Sequence, residues 1–193
     1  MREALKRLIH AAATLVVAPM LVSYFVRSRL LGPDRAIQGS TQMLATAPGL
    51  TGQYLRRAFL TRVLSQCART ATIEYGTVFS HAGARLEDGA YIGPYCTVGH
   101  IHIEAGALIG PGAQLLSGSR THGSDDRSRP VRDQPIDRRL IHIGRGAWVG
   151  AGAIVMADIG PNAIVGAGAV VTEQIPAGVV AAGVPARVLR QRA

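Results

Sequence analysis

Cysteine is scarce: Cys67 and Cys96 are the two in 193 residues. Two cysteines make no disulfide framework, and no zinc-type cysteine spacing is present, so a reducing compartment is the simpler setting. Aromatic residues make up 5% of the chain and charged residues 17%. A disordered chain would carry more charge and less than the 48% of hydrophobic residues found here. The 23 glycines follow no strict three-residue period, which excludes a collagen-type chain. No nucleic-acid-binding motif or aromatic platform is present, so the net charge of +9 does not by itself point to DNA or RNA.

The charge and the glycines are unevenly spread. Residues 1–70 hold ten Lys/Arg against Glu3 and Asp34, giving +8, whereas residues 71–193 hold eleven Arg against ten Asp/Glu. Of the 23 glycines, 19 lie beyond residue 71. Two segments are expected: a helical one at 1–70 and a repetitive one at 71–193.

Residues 8–26 (LIHAAATLVVAPMLVSYFV) contain no formal charge and just reach the length of a spanning helix, about 20 residues. Arg2, Lys6 and Arg7 precede them; Arg27, Arg29 and Arg35 follow. Tyr24, Phe25 and Arg27 make a poor signal-peptidase site. Basic residues on both sides fit a helix that lies in one leaflet at an anionic membrane surface, since a full crossing would leave one cluster on the wrong side. A helix buried in a soluble oligomer is the alternative. A second helix is expected at 33–47 and a third at 52–68, where Leu55, Phe59, Val63 and Cys67 fall four apart. Arg56, Arg57, Arg62 and Arg69 lie off that stripe, on a solvated basic face or one facing an anionic lipid or glycan carrier.

Beyond residue 71 an apolar residue recurs at a period of six, with a few slips of one or two positions. Ile73, Phe79, Leu86, Ile92 and Val98 begin the series; Ile103, Ile109 and Leu115 continue it. Ile143, Val149 and Val155 resume it after a gap, and Ile159, Val165 and Val171 follow. A 3.6-residue helix would smear such positions around its circumference. A six-residue period suits a solenoid of triangular section, in which each face is a short strand and each corner a turn. Residues 72–188 then make roughly five coils of three hexads.

The stretches Ile143-Gly144-Arg145-Gly146-Ala147-Trp148-Val149-Gly150-Ala151-Gly152, Val165-Gly166-Ala167-Gly168-Ala169-Val170-Val171-Thr172 and Ala182-Gly183-Val184-Pro185-Ala186-Arg187-Val188-Leu189-Arg190 resemble the hexapeptide-repeat acyltransferases. The resemblance covers residues 73–190 and is to the maltose, galactoside and serine acetyltransferase group. With its N-terminal helices, the chain looks most like acetyltransferases of exopolysaccharide clusters. It implies an all-β left-handed parallel β-helix preceded by N-terminal α-helices, an exception to the right-handed crossover rule. It also implies a homotrimer transferring acetyl from acetyl-CoA to a sugar hydroxyl of a glycan precursor or lipid-linked glycan; with the basic-flanked apolar run at 8–26, the expected place is cytoplasmic, peripheral or monotopic at the inner membrane.

The repeat breaks at 120–140, where 21 residues without evident structure ask for a function. His122 stands at the base of this loop, where the resembling family has its general base. An imidazole with a pKa near 6.5 can take a hydroxyl proton and return it to a thiolate. Asp125, Asp126 or a carboxylate of a neighbouring subunit would orient it. The resemblance assigns CoA contacts to Trp148, Ala151, Ala167, Thr172, Arg187 and Arg190, with a backbone N–H near Ala151 for the oxyanion. Glu173 departs from it, since the family commonly has Lys after the threonine, and a carboxylate beside phosphate would repel. His81 and His100 read as corner or acceptor-groove residues, and His102 as a turn residue. The gamma-class carbonic anhydrases are similar in fold and bind zinc through histidines, but Ala105 stands where their spacing needs a histidine. No metal is expected. A non-catalytic β-helix scaffold is the other reading.

Overall fold

The computed structural model describes residues 2–119, 123 and 125–192, with side chains from Leu8 onward. Three helices come first: α1 (Arg2–Leu31), α2 (Pro33–Ala45) and α3 (Gly49–Val63). Gly32, at φ 86°, takes a left-handed conformation that ends α1, and Pro33 with its preset φ starts α2. Pro48, in an extended conformation, makes the break before α3. The stripe expected to run on to Cys67 stops at Val63. Cys67 also fits the six-residue series as the step before Ile73, and pairing decides the matter: Gln66–Cys67 form β1, with Cys67 opposite Leu86.

The remainder is a parallel β-helix that winds left-handed through about six turns. The first face stacks β1, β4 (Arg85–Leu86), β7 (Ile101–Ile103) and β10 (Ile141–Ile143), extended by bridges through Ile159 and Ile175. The second stacks β2 (Thr72–Ile73), β5 (Tyr91–Ile92), β8 (Leu108–Ile109), β11 (Trp148–Val149), β13 (Ile164–Val165) and β15 (Val179–Ala182). The third stacks β3 (Val78–Phe79), β6 (Thr97–Val98), β9 (Gln114–Leu115), β12 (Ile154–Val155) and β14 (Val170–Val171). β16 (Arg187–Gln191) folds back antiparallel on β15 and closes the far end. In each two-residue strand the second residue faces inward, so Ile73, Leu86, Ile92, Ile109, Leu115, Val149 and Val171 are fully buried. Corners stack as closely: a Cβ at Gly150 would meet the backbone of Gly166 and Ala167, which is why glycine follows the inward aliphatic residue there.

The first coil would otherwise present an open core and a row of unpaired backbone groups. The helices close both. Ile37, Phe59 and Leu60 are buried and join the solenoid interior in one apolar cluster. The Thr41 hydroxyl donates to Phe79 O (3.2 Å) and accepts from Phe79 N (3.1 Å). Gly76 N donates to Ala45 O. Arg56, expected on a basic face turned to solvent or to an anionic lipid or glycan carrier, is instead 2% exposed. Its guanidinium donates to Ile73 O, Leu44 O and Ala47 O, tying α2, α3 and the first coil together. Leu44 O also accepts from Ala47 N, so Ile73 O and Ala47 O are the carbonyls that rely most on the guanidinium; these charge-assisted bonds offset the cost of burying it, although Nη2 finds no partner among the described residues.

Candidate functional site

Coil length locates the insertion. Tyr91 pairs with Leu108, 17 positions on, and Trp148 with Ile164, 16 on, but Leu108 pairs with Trp148, 40 on. The extra chain leaves after β9 and returns before β10. Its ends meet at one corner: Arg139 N donates to Ser117 O (2.8 Å), and the Ser117 hydroxyl accepts from His100 N (2.9 Å). The insertion is more ordered than its composition predicts. Gln134 is 6% exposed; its amide donates to Asp126 O and Arg129 O and accepts from Asp126 N. Gly123 N bonds Pro135 O, and Val131–Asp133 make a 3-10 turn. His122 lies outside the described residues. Of the two nearby aspartates, Asp126 is committed to Ser128 through its N–H (2.9 Å) and hydroxyl (2.6 Å), which hold its carboxyl below the usual range.

A hollow opens on each side of the loop base. The larger, about 530 Å³, lies between α2 and the solenoid and is lined by Asp34, Arg35, His81, Leu116, Ser117 and Arg138 among others. Asp34 organises it. One carboxylate oxygen accepts from Ala82 N (3.0 Å); the other faces His81 Nε2 (3.2 Å) and Arg138 Nη1 (3.4 Å). His81 Nδ1 accepts from Gly83 N (3.1 Å), which leaves the ring proton on Nε2, toward Asp34. His100 stacks on His81 with centroids 4.2 Å apart. Burial lowers both imidazole pKa values; Asp34 opposes this at His81, and each ring's neighbouring cations or imidazole add to it. His102 belongs to β7 rather than to a turn, and its Nε2 meets Glu87 Oε1 at 2.9 Å. No group of three or more His, Cys, Asp or Glu among the described residues is placed to hold a metal ion.

The smaller hollow, about 290 Å³, is lined by Gly118, Ser119, Arg139, Asp158, Thr172 and Glu173 among others. Arg139 pairs with Asp158, whose second oxygen accepts from His142 N (2.9 Å).

The six residues assigned to CoA are all exposed but not all together. Thr172 reaches the loop base. Trp148 stands on the second face between Leu108 and Ile164. Ala151 and Ala167 stack on the next corner, where Gly168 N donates to Ala151 O. Arg187 and Arg190 lie on β16, and Arg187 Nη1 sits 3.8 Å from Glu173 Oε2. The carboxylate expected to repel phosphate is therefore partly neutralised by a residue of the same set. Asp34 and Arg138 were not foreseen as partners of His81, because nothing in their spacing along the chain announces a contact between a helix start, a corner and a loop end.

No protein-family model matches the chain, and no curated protein matches it either. Solved structures do. A galactoside acetyltransferase in complex with coenzyme A superposes with a TM-score of 0.69 at 23% identity, covering 82% of this chain and 80% of that one. A hexapeptide-repeat acetyltransferase from Vibrio cholerae gives 0.69 at 22% identity, over 82% and 92% of the two chains. A maltose O-acetyltransferase from Clostridium difficile gives 0.66 at 22%, over 83% and 88%. At these identities the likeness is one of fold: the β-helix matches that of hexapeptide-repeat acetyltransferases.

Proposed function

We propose that the chain is an acetyl-CoA-dependent O-acetyltransferase acting on a sugar hydroxyl in surface-polysaccharide or glycan-precursor synthesis. The observation that carries this reading is the 40-position step in an otherwise short-stepped prism, which puts a loop base between two hollows. The fold shared with a galactoside acetyltransferase and a maltose O-acetyltransferase supports it.

His122 removes the hydroxyl proton as the sugar oxygen attacks the thioester carbonyl. The C–O bond forms, the C–S bond breaks, and the imidazolium returns its proton to the CoA thiolate, with no acyl-enzyme. A backbone N–H near Ala151 steadies the oxyanion. In one chain Ala151 and Ala167 stand a corner away from the loop base. The reading therefore includes a homotrimer, in which the second face of one subunit meets the loop of the next and encloses the pantetheine arm. Thr172, Arg187 and Arg190 serve the phosphates and Trp148 the arm's apolar wall. The 530 Å³ hollow takes the acceptor. Its polar lining offers Asp34 to sugar hydroxyls, and Arg35 suits an acceptor that carries phosphate.

The test is CoA release from acetyl-CoA in the presence of sugar acceptors. His122→Ala should retain its fold by circular dichroism and lose turnover. Unchanged turnover in that variant would remove His122 from the reaction.

A further inference from the structure

Helix α1 has two unlike sides. Ala13, Val17, Leu21 and Tyr24 are buried against α2 and α3, and the Tyr24 ring meets Phe59 edge-on at 5.8 Å. On the other side Leu8, Leu15, Val16, Val22 and Val26 are 54–76% exposed. Leu8, Leu15 and Val22 are seven apart, so they form one row along the helix. No formal charge interrupts residues 8–26.

The stretch Leu8–Leu31 is 24 residues, about 36 Å of helix, and contains an 18-residue window of mean hydropathy 1.8, which is long and apolar enough to cross a bilayer. Its packing forbids the crossing. A spanning α1 would have to drag α2 and α3 into lipid, with Arg35, Arg57 and Arg62, or tear away from them and abandon the contacts of Val17, Leu21 and Tyr24. The helix can meet lipid only lengthwise.

Beside its first half lies a recess of about 410 Å³, lined by His10, Ala11, Thr14, Leu15, Arg62 and Arg69. Leu15 belongs both to this recess and to the apolar row, so the two are one surface. Among the described residues no carboxylate lines the recess, and both arginines are exposed. The local potential is positive enough that Arg69, Arg62 and Arg57 add to burial in lowering the His10 pKa.

We propose that α1 is an in-plane membrane helix: its Leu8–Leu15–Val22 row enters one leaflet, and Arg62 and Arg69 hold the phosphate of an anionic phospholipid beside it. An apolar strip edged by cations is the pattern that partitions into an anionic interface, and each basic residue there strengthens binding about fivefold. A second copy is the poorer occupant. A two-fold contact through this strip would bring like-charged recesses toward each other, on a segment that already carries +8 over residues 1–70.

Vesicle flotation of the full chain tests this without acetyl-CoA or acceptor, so its failure would leave the enzymatic reading untouched. The wild type should float with phosphatidylglycerol-containing vesicles and much less with pure phosphatidylcholine. Arg62→Ala/Arg69→Ala should weaken binding to the anionic vesicles by ~30-fold, two such increments together. Leu15→Glu/Val22→Glu should abolish binding to both while the helical circular dichroism stays, since both positions face outward. Equal binding to the two lipids would overturn the phosphate site. Undiminished binding of the double glutamate variant would overturn the embedded row, as would a wild-type oligomer that this variant dissolves in light scattering without loss of vesicle binding.

Discussion

The helical cap and the β-helix solve the same problem by opposite means. In the β-helix every coil repeats the same contact, so the inward residues at Ile92, Ile109, Val149 and Val165 each need only be aliphatic. Loss of one is shared by its neighbours above and below. In the cap almost nothing repeats. The helices are held on the first coil by a few specific polar groups: the Arg56 guanidinium, the Thr41 hydroxyl and the Asp34 carboxylate. A repeat distributes stability, whereas a cap concentrates it, together with the unusual chemistry. The variants below are ordered by how hard they press on that distinction.

His122→Ala should have the largest effect, a loss of about a thousandfold in kcat/KM, within the range for a general base. Its thermal midpoint should match the wild type, because the loop is an excursion from a coil that closes through Ser117 and Arg139 without it. A variant that both unfolds and loses turnover would mean that the loop is part of the scaffold.

Arg56→Met comes next, at about 3 kcal/mol of lost stability, since it removes the guanidinium's hydrogen bonds to Ile73 O, Leu44 O and Ala47 O. Urea unfolding measures it. The same substitution at Arg62, which is exposed, should change stability by less than about 0.5 kcal/mol. If the two cost the same, the cap is not held at a few points.

That contrast also governs what the sequence made legible. The six-residue series survives the trip from sequence to structure because one physical demand, an aliphatic side chain in a narrow prism, recurs at Ile73, Ile109 and Val165. Cys67 was assigned to the wrong pattern because it satisfies two periods at once, four back to Val63 and six on to Ile73. Arg56 looked like its neighbours Arg57 and Arg62; only the tertiary position of three carbonyls separates it from them. The loop looked structureless because Gln134 organises it through backbone atoms, which composition does not report. At the candidate site, Thr172 is singled out only by the resemblance, and it lines the smaller hollow. The Asp34–His81–Arg138 cluster was not legible, since it joins three unrelated parts of the chain.

The cluster predicts a pH dependence. In the folded chain His81 and His100 titrate below the ordinary imidazole value, chiefly through burial. Between that lowered value and about 6.5 the unfolded chain binds more protons than the folded one, so stability rises with pH across this window and is constant above it. Replacing His81 with Gln should flatten the lower part of a plot of unfolding free energy against pH. A wild-type profile already flat from pH 5 to 7 would mean that the two rings are not withdrawn from water.

Glu173→Lys should have the smallest effect on stability and is the most informative about the smaller hollow. Glu173 and Arg187 are both well exposed and 3.8 Å apart, so losing the pair should cost well under 1 kcal/mol. If the hollow beside Thr172 receives CoA phosphate, the change replaces a repelling charge with an attracting one and frees Arg187 as well. The KM for acetyl-CoA should then fall several-fold at low ionic strength, and the gain should shrink as salt is added. An unchanged KM would place the phosphates elsewhere along the prism. Thr172 and Arg187 would then be ordinary surface residues, leaving Trp148, Ala151 and Ala167 on the second face as the remaining candidates for the donor.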